Sequence, residues 1–277
     1  MPISEKIIIK LKSIGINDIQ ISIDSLDADE IKIVDKVKRE DNYIEKMFCT
    51  LSNLEKHNFN VGVNVVLTKF NSTINGITSL LNKVNKFSNI EELIINPAER
   101  STNCSSDDFD NFKNKGLELE KIKKHIINIQ NDYKFNLGFA GYTRKSDYDK
   151  GFEEKKISHE NRSLCTANIS QLAILNDGQV TICEELYWNP KFLIGNVINQ
   201  SIKEIWSSDK ACKLADLKRD DFRDDSICKT CSDFDICRLG KGVCWSNVAS
   251  AYGEENWDYP APECPYAPKL LYSVHHD

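Results

Sequence analysis

Seven of the eight cysteines between Cys165 and the C-terminus stand at spacings that restrict what this part of the chain can become: Cys165, Cys183, Cys228, Cys231, Cys237, Cys244 and Cys264. In order they read C-x12-G-x4-C, a gap, C-x2-C-x5-C-x6-C, a second gap, and a cysteine followed by Pro265. The two residues between Cys228 and Cys231 form a turn that lets both sulfurs reach one metal, or two irons of one cubane. A lone CxxC says little, but here five more cysteines accompany it, and a glycine-bearing turn precedes Cys183. The set suits iron-sulfur ligation. Structural zinc, which four thiolates also hold, is the competing reading. A loop this rich in cysteine and poor in apolar residues is expected to need metal to hold together.

The rest of the composition excludes more than it identifies. At 277 residues the chain can bury one large core or two modest ones. No run of about 18 apolar residues is present to span a bilayer. The segment Met1-Pro2-Ile3-Ser4-Glu5-Lys6 lacks the build of a secretory signal. Ten cysteines without such a signal point to a reducing, cytoplasmic setting, in which the Asn71-Ser-Thr acceptor would stay unglycosylated. A net charge of -6, with basic and acidic residues interleaved, argues against nucleic-acid binding.

The first half alternates between two periodicities. Ile3, Ile7, Ile8, Leu11 and Ile14 form a helical stripe ended by Gly15; Ile19 to Ile23 then alternates as a strand and runs into Asp24-Ser25. A helix over 41–57 and a strand over 60–68 follow, then a helix capped by Ser72 or Thr73 and running through Val84, and a strand at 93–95 closed by Pro97. A long helix over 109–132 and a short strand at 134–139 complete the pattern. Alternation of this kind implies parallel βα units, and three or four strands cannot close a barrel. Residues 1–140 therefore read as parallel βα units of an open sheet or of half a barrel, and the polar stretch 141–163 as a linker. Residues 164–277 read as a small cysteine-rich domain, with a two-residue type I′ hairpin at Asp177-Gly178 and a capping box from Ser201 to Glu204.

These residues resemble the radical S-adenosylmethionine (SAM) enzymes that carry a C-terminal SPASM domain. The cysteine spacing, the Gly195-Asn-Val197 segment, Ser201-Ile-Lys-Glu-Ile-Trp206 and the final Cys-Pro resemble the seven-cysteine SPASM pattern. Ile19-Gln-Ile-Ser-Ile-Asp-Ser25 and Val63-Asn-Val-Val-Leu-Thr68 with Asn71 resemble the fourth and fifth strands of that family's partial (βα)6 barrel. The family's CxxxCxxC, which holds the SAM-binding cluster, is absent from the 277 residues, so the resemblance is to the C-terminal part of such an enzyme, starting after the third barrel strand. Six residues separate Cys237 from Cys244, where the family usually has three.

The resemblance implies two auxiliary [4Fe-4S] clusters, one on Cys228, Cys231, Cys237 and Cys264 and the other on Cys165, Cys183 and Cys244 with its fourth iron open or held by another group. It implies that Ser22 and Asp24 contact SAM in a complete enzyme; capping of the next helix is the structural alternative for this pair. The implied activity is that of an oxidoreductase-type maturase acting on a peptide or protein, for which a separate N-terminal radical SAM half would be needed. A non-enzymatic metallo-module that holds a peptide or a partner protein is the alternative from another class. Among the remaining residues, Cys49 and Cys212 read as small buried hydrophobes, Trp206 as a core anchor, and His275-His276 as a solvated tail.

Overall fold

The computed structural model describes residues 2–35, 42–100 and 106–276, so that Asp41 and Cys104 lie outside the described residues. The chain divides into two compact units, one of residues 1–99, 107–144 and 275–277, the other of residues 100–106 and 145–274.

In the first unit the order is α1 (Glu5–Ser13), β1 (Asp18–Ser22), α2 (Ala28–Asp35), α3 (Tyr43–Lys56), β2 (Asn60–Leu67), α4 (Ile74–Val84), β3 (Ile90–Pro97), α5 (Ser106–Phe112), α6 (Gly116–Ile129) and β4 (Asn136–Phe139). The strands pair in chain order and all in parallel, the outcome when a helical crossover separates successive strands. Register sets Ile21, Val63, Leu93 and Leu137 in one row across the sheet, each at most 7% exposed. Side chains alternate along a strand, so this row marks the buried face. It packs in one core with Ile8 of α1, Met47 and Leu51 of α3, Leu80 and Leu81 of α4, and Ile122 of α6. The adjacent row, Ser22, Asn64, Ile94 and Gly138, is half-buried or exposed. One face of the sheet thus carries the core, and the other is left for polar groups at the strand ends.

Three details of this unit differ from the sequence reading. The long helix over 109–132 is broken into α5 and α6 at Asn114 and Gly116, two weak helix formers. Cys49 is exposed, because the buried stripe of α3 runs through Met47, Thr50, Leu51 and Leu54 and leaves position 49 on the far side. His276 is no solvated tail: it is 3% exposed, its ring nitrogens lie 3.1 Å from the Asn114 carbonyl and 3.0 Å from that of Ala98, and the rings of Phe109 and Tyr142 meet it edge-on.

The second unit contains α7 (Lys145–Tyr148) and α8 (Phe152–Glu160), both in the stretch read as a polar linker, then strands β5 (Ala173–Ile174), β6 (Gln179–Thr181) and β7 (Leu193–Asn196) and helices α9 (Ile202–Trp206), α10 (Asp209–Ala215) and α11 (Trp245–Tyr252). The three strands form an antiparallel sheet. The β5–β6 turn is not a two-residue type I′ turn. That turn needs positive φ at both central residues, and only Gly178, at φ 83°, has it; Leu175 N–H bonds the Gln179 carbonyl at 2.8 Å, which makes the loop three residues long. Gly195 is required for a different reason, since a Cβ there would lie 2.7 Å from Ile205 Cγ1. The Ser201–Glu204 capping box starts α9 as expected. Ile205, with no exposed surface, anchors that helix in the core of Val180, Ile182, Phe192 and Ile194, and Trp206 is only half-buried. Cys212 is exposed, because α10 buries its neighbour Ala211 instead. No helix among the described residues is long and apolar enough to cross a membrane.

Candidate metal centre

Four of the seven cysteines gather in the second unit at the end of short, irregular elements. Cys228 lies in a 3-10 turn over Ile227–Thr230, and Cys231 directly follows it. Cys237 sits in a wide helical turn over Asp235–Lys241. Cys264 lies beyond α11 in an irregular segment, directly before Pro265. All four line one cavity together with His159, Phe234, Arg238 and Val243. Cys228 and Cys264 are each 8% exposed. Burial raises the Cys228 thiol against the opposing pull of Arg238, and it pushes Cys264 up to about 11, with Cys228, Cys237 and Cys231 adding to the effect. A second cavity, of about 250 Å³, is lined by Cys231, Cys237 and Cys264 along with Lys156, Arg162 and Lys241.

Nitrogen donors already reach two of these sulfurs. Arg238 Nη2 donates to Cys228 Sγ at 3.1 Å, and Arg162 Nη2 donates to Cys237 Sγ at 3.1 Å. His159 Nε2 lies 3.3 Å from the same Cys237 sulfur. His159 and Arg162 come from α8 and the residue pair just beyond it, which the sequence reading passed over as linker. The available signal was an i, i+3 pair of nitrogen donors placed shortly before Cys165.

The other three cysteines form a separate group. Cys183 follows β6, Cys244 is the N-cap of α11, and Cys165 N–H bonds the Lys241 carbonyl at 3.0 Å. Gly242, at φ 71°, lies against Cys165; a Cβ there would stand 3.1 Å from that of Cys165. Cys244 is exposed as a residue, yet loss of water around its sulfur pushes the thiol up to about 11, with Cys165 and Cys183 close enough to contribute. Burial raises Cys183 as well, and the carboxylates of Glu184 and Glu185 add to it. Among the described residues, no three His, Cys, Asp or Glu side chains converge as ligands of a single metal ion do.

Ser22 and Asp24 lie in the first unit. Ser22 is exposed at the last position of β1, and Asp24 Oδ1 accepts from Val66 N–H at 2.8 Å. Neither caps α2: that role falls to Asp27, whose Oδ1 accepts from Asp29 and Glu30 N–H. Asn71, 4% exposed, holds this end of the sheet together. Its Nδ2 donates to the carbonyls of Asp24 and Val66, both at 2.8 Å, and its Oδ1 accepts from Thr68 N–H and Oγ1.

Residues 165–232 match the SPASM family, described as an iron-sulfur cluster-binding domain. The match covers Cys165, Cys183, Cys228 and Cys231 and stops short of Cys237, Cys244 and Cys264. Among solved structures, Streptococcus suis SuiB bound to S-adenosylmethionine matches with a TM-score of 0.53 at 15% identity, over 88% of this chain and 52% of that one. SuiB bound to precursor peptide SuiA gives 0.54 at 15% identity, over 88% and 52%. The structure of anSMEcpe with bound AdoMet and Cp18Cys peptide gives 0.54 at 17% identity, over 94% and 67%. At these identities the likeness is one of fold alone, and the chain spans about half the length of the SuiB structures it matches. No curated protein matches the chain in sequence.

Proposed function

We propose that this chain is an iron-sulfur protein, the C-terminal part of a radical SAM/SPASM enzyme that modifies a peptide or protein. Cys228, Cys231, Cys237 and Cys264 would hold one auxiliary [4Fe-4S] cluster, and Cys165, Cys183 and Cys244 a second with one iron left to a further ligand. The observation that carries this reading is the cavity lined by all four cysteines of the first set. The donor chemistry fits, since soft thiols on loops rather than carboxylates line the first site. The clusters, when bound, would pass single electrons or hold the substrate. The protein's part is to exclude water from the thiolates, to bond them through N–H donors, and to keep the loops from Cys228 to Cys264 closed around them. The SuiB and anSMEcpe structures with peptides support a peptide substrate. Ser22 and Asp24, at the open end of β1, would face SAM in the complete enzyme, with Asn71 fixing the backbone beneath them.

The test is ligand-specific loss of iron after anaerobic reconstitution. Cys231→Ala should remove about half the iron, because it strips one cluster of a ligand. Cys183→Ala should remove the other part. Equal loss of all iron in both variants, or none in either, would contradict two independent sites.

A further inference from the structure

The two cysteine groups differ sharply in the charge placed on their sulfurs. At the four-cysteine site a guanidinium group reaches each of two sulfurs, Arg238 on Cys228 and Arg162 on Cys237, and His159 Nε2 lies 3.3 Å from the latter. At the three-cysteine site the side chain that meets a sulfur is a carboxylate: Glu184 Oε2 lies 3.9 Å from Cys183 Sγ.

Arg238 is set up in an unusual way for a cation. Its guanidinium lies 5.0 Å from the ring centre of Phe222 and 5.5 Å from that of Trp245. Besides Cys228, its Nη2 bonds only the neutral carbonyls of Asp258 and Tyr259. Its Nε and Nη1 are shut off from solvent with no hydrogen-bond partner. Donors buried in this way call for an acceptor. Arg162 is pinned from the other side, with Nη2 on the carbonyls of Cys237 and Gly242 and Nη1 on the His159 carbonyl. Both arginines are therefore held by backbone carbonyls as well as by a sulfur, each through Nη2.

We infer that Arg162 and Arg238 set the redox potential of the four-cysteine cluster, raising it by charge-assisted N–H···S bonds to Cys237 and Cys228. This rests on the reading of those cysteines as iron ligands. One-electron reduction adds negative charge to the cluster and its thiolates, so a fixed positive charge and a donated hydrogen bond stabilise the reduced form more than the oxidised one. The carboxylate beside Cys183 acts in the opposite sense. His159, with Nδ1 buried and unbonded, orients Arg162 through its backbone carbonyl. The arginines are positioning residues; they touch the ligands and not a substrate.

The experiment is a reductive titration of the reconstituted full chain under argon, followed by electron paramagnetic resonance, in wild type, Arg162→Gln, Arg162→Lys and Arg238→Gln. Cys183→Ala, which keeps only the four-cysteine cluster, identifies the signal. Each Gln variant should make that cluster about tenfold harder to reduce, a downward shift of about 59 mV for one electron, with iron content and the other signal unchanged. Arg162→Lys should recover part of the shift. Gln variants that keep their iron with both potentials at the wild-type values would overturn the inference and leave the proposed function intact. Loss of the cluster in both Arg162→Gln and Arg162→Lys, with the fold retained by circular dichroism, would also overturn it, because the arginine would then hold the loop rather than tune the metal. If Arg238→Gln does not fold, the half-buried Arg162 decides alone. A wild-type chain that takes up no iron would instead remove the proposed function, and this inference with it.

Discussion

At the scale of single residues, two buried polar groups carry structural load that has nothing to do with metal. Asn71 makes four hydrogen bonds around the ends of β1 and β2. Asn71→Ala would leave two carbonyls and an N–H unpaired in the interior and should destabilise the first unit by about 2–3 kcal/mol, read from urea unfolding. Asp258 has no exposed surface and takes hydrogen bonds from Arg223 at N, Nε and Nη2. Burial alone would raise its carboxyl, but the bonds and charge of Arg223 outweigh this and hold it below the usual range. A carboxyl depressed in the folded state contributes stability above its unfolded value of about 3.9, and that contribution is lost as pH falls through the folded value. Asp258→Asn should therefore be less stable than wild type at pH 7 and should show a shallower loss of stability in acid. Identical acid profiles would contradict the assignment. That Cys228, Cys231, Cys237 and Cys264 belong together was legible from their spacing, and they line one cavity. Arg162, His159 and Arg238 were not, because donors to a sulfur are recruited from any loop that passes nearby and follow no spacing rule.

At the scale of elements, alternation of strand and helix was legible wherever one face of the element is buried: β1 and β2 were readable from their apolar period, and α4 from its cap at Thr73. α2 and β7 were not anticipated, because both are short, eight and four residues long. Exposed cysteines were misread for a related reason, since residue type predicts burial on average while helical phase decides it. The sheet order also carries a prediction. Among the described strands β1 has β2 as its one neighbour, so its outer edge presents unpaired backbone groups. The 277-residue chain should self-associate through that edge, and a fragment supplying the first three βα units of a radical SAM barrel should suppress the association. Sedimentation velocity would show it; a monomer at high concentration in the absence of any such fragment would contradict it.

At the scale of the whole molecule, the two units separate two sets of residues. The first offers a half-open parallel sheet with Ser22 and Asp24 at its polar end, and the second offers the cysteines. The 277 residues contain no CxxxCxxC. Reconstituted and given SAM and dithionite, they should release no 5′-deoxyadenosine beyond trace amounts, and should do so only when a radical SAM half carrying that motif is added. The central claim, that the cysteine-rich unit holds iron-sulfur clusters and not zinc, is tested most directly by counting iron, acid-labile sulfide and zinc in the anaerobically purified and reconstituted chain. The account predicts a brown protein with on the order of seven or eight irons per chain and a similar amount of sulfide. A colourless protein with stoichiometric zinc and no sulfide would contradict it.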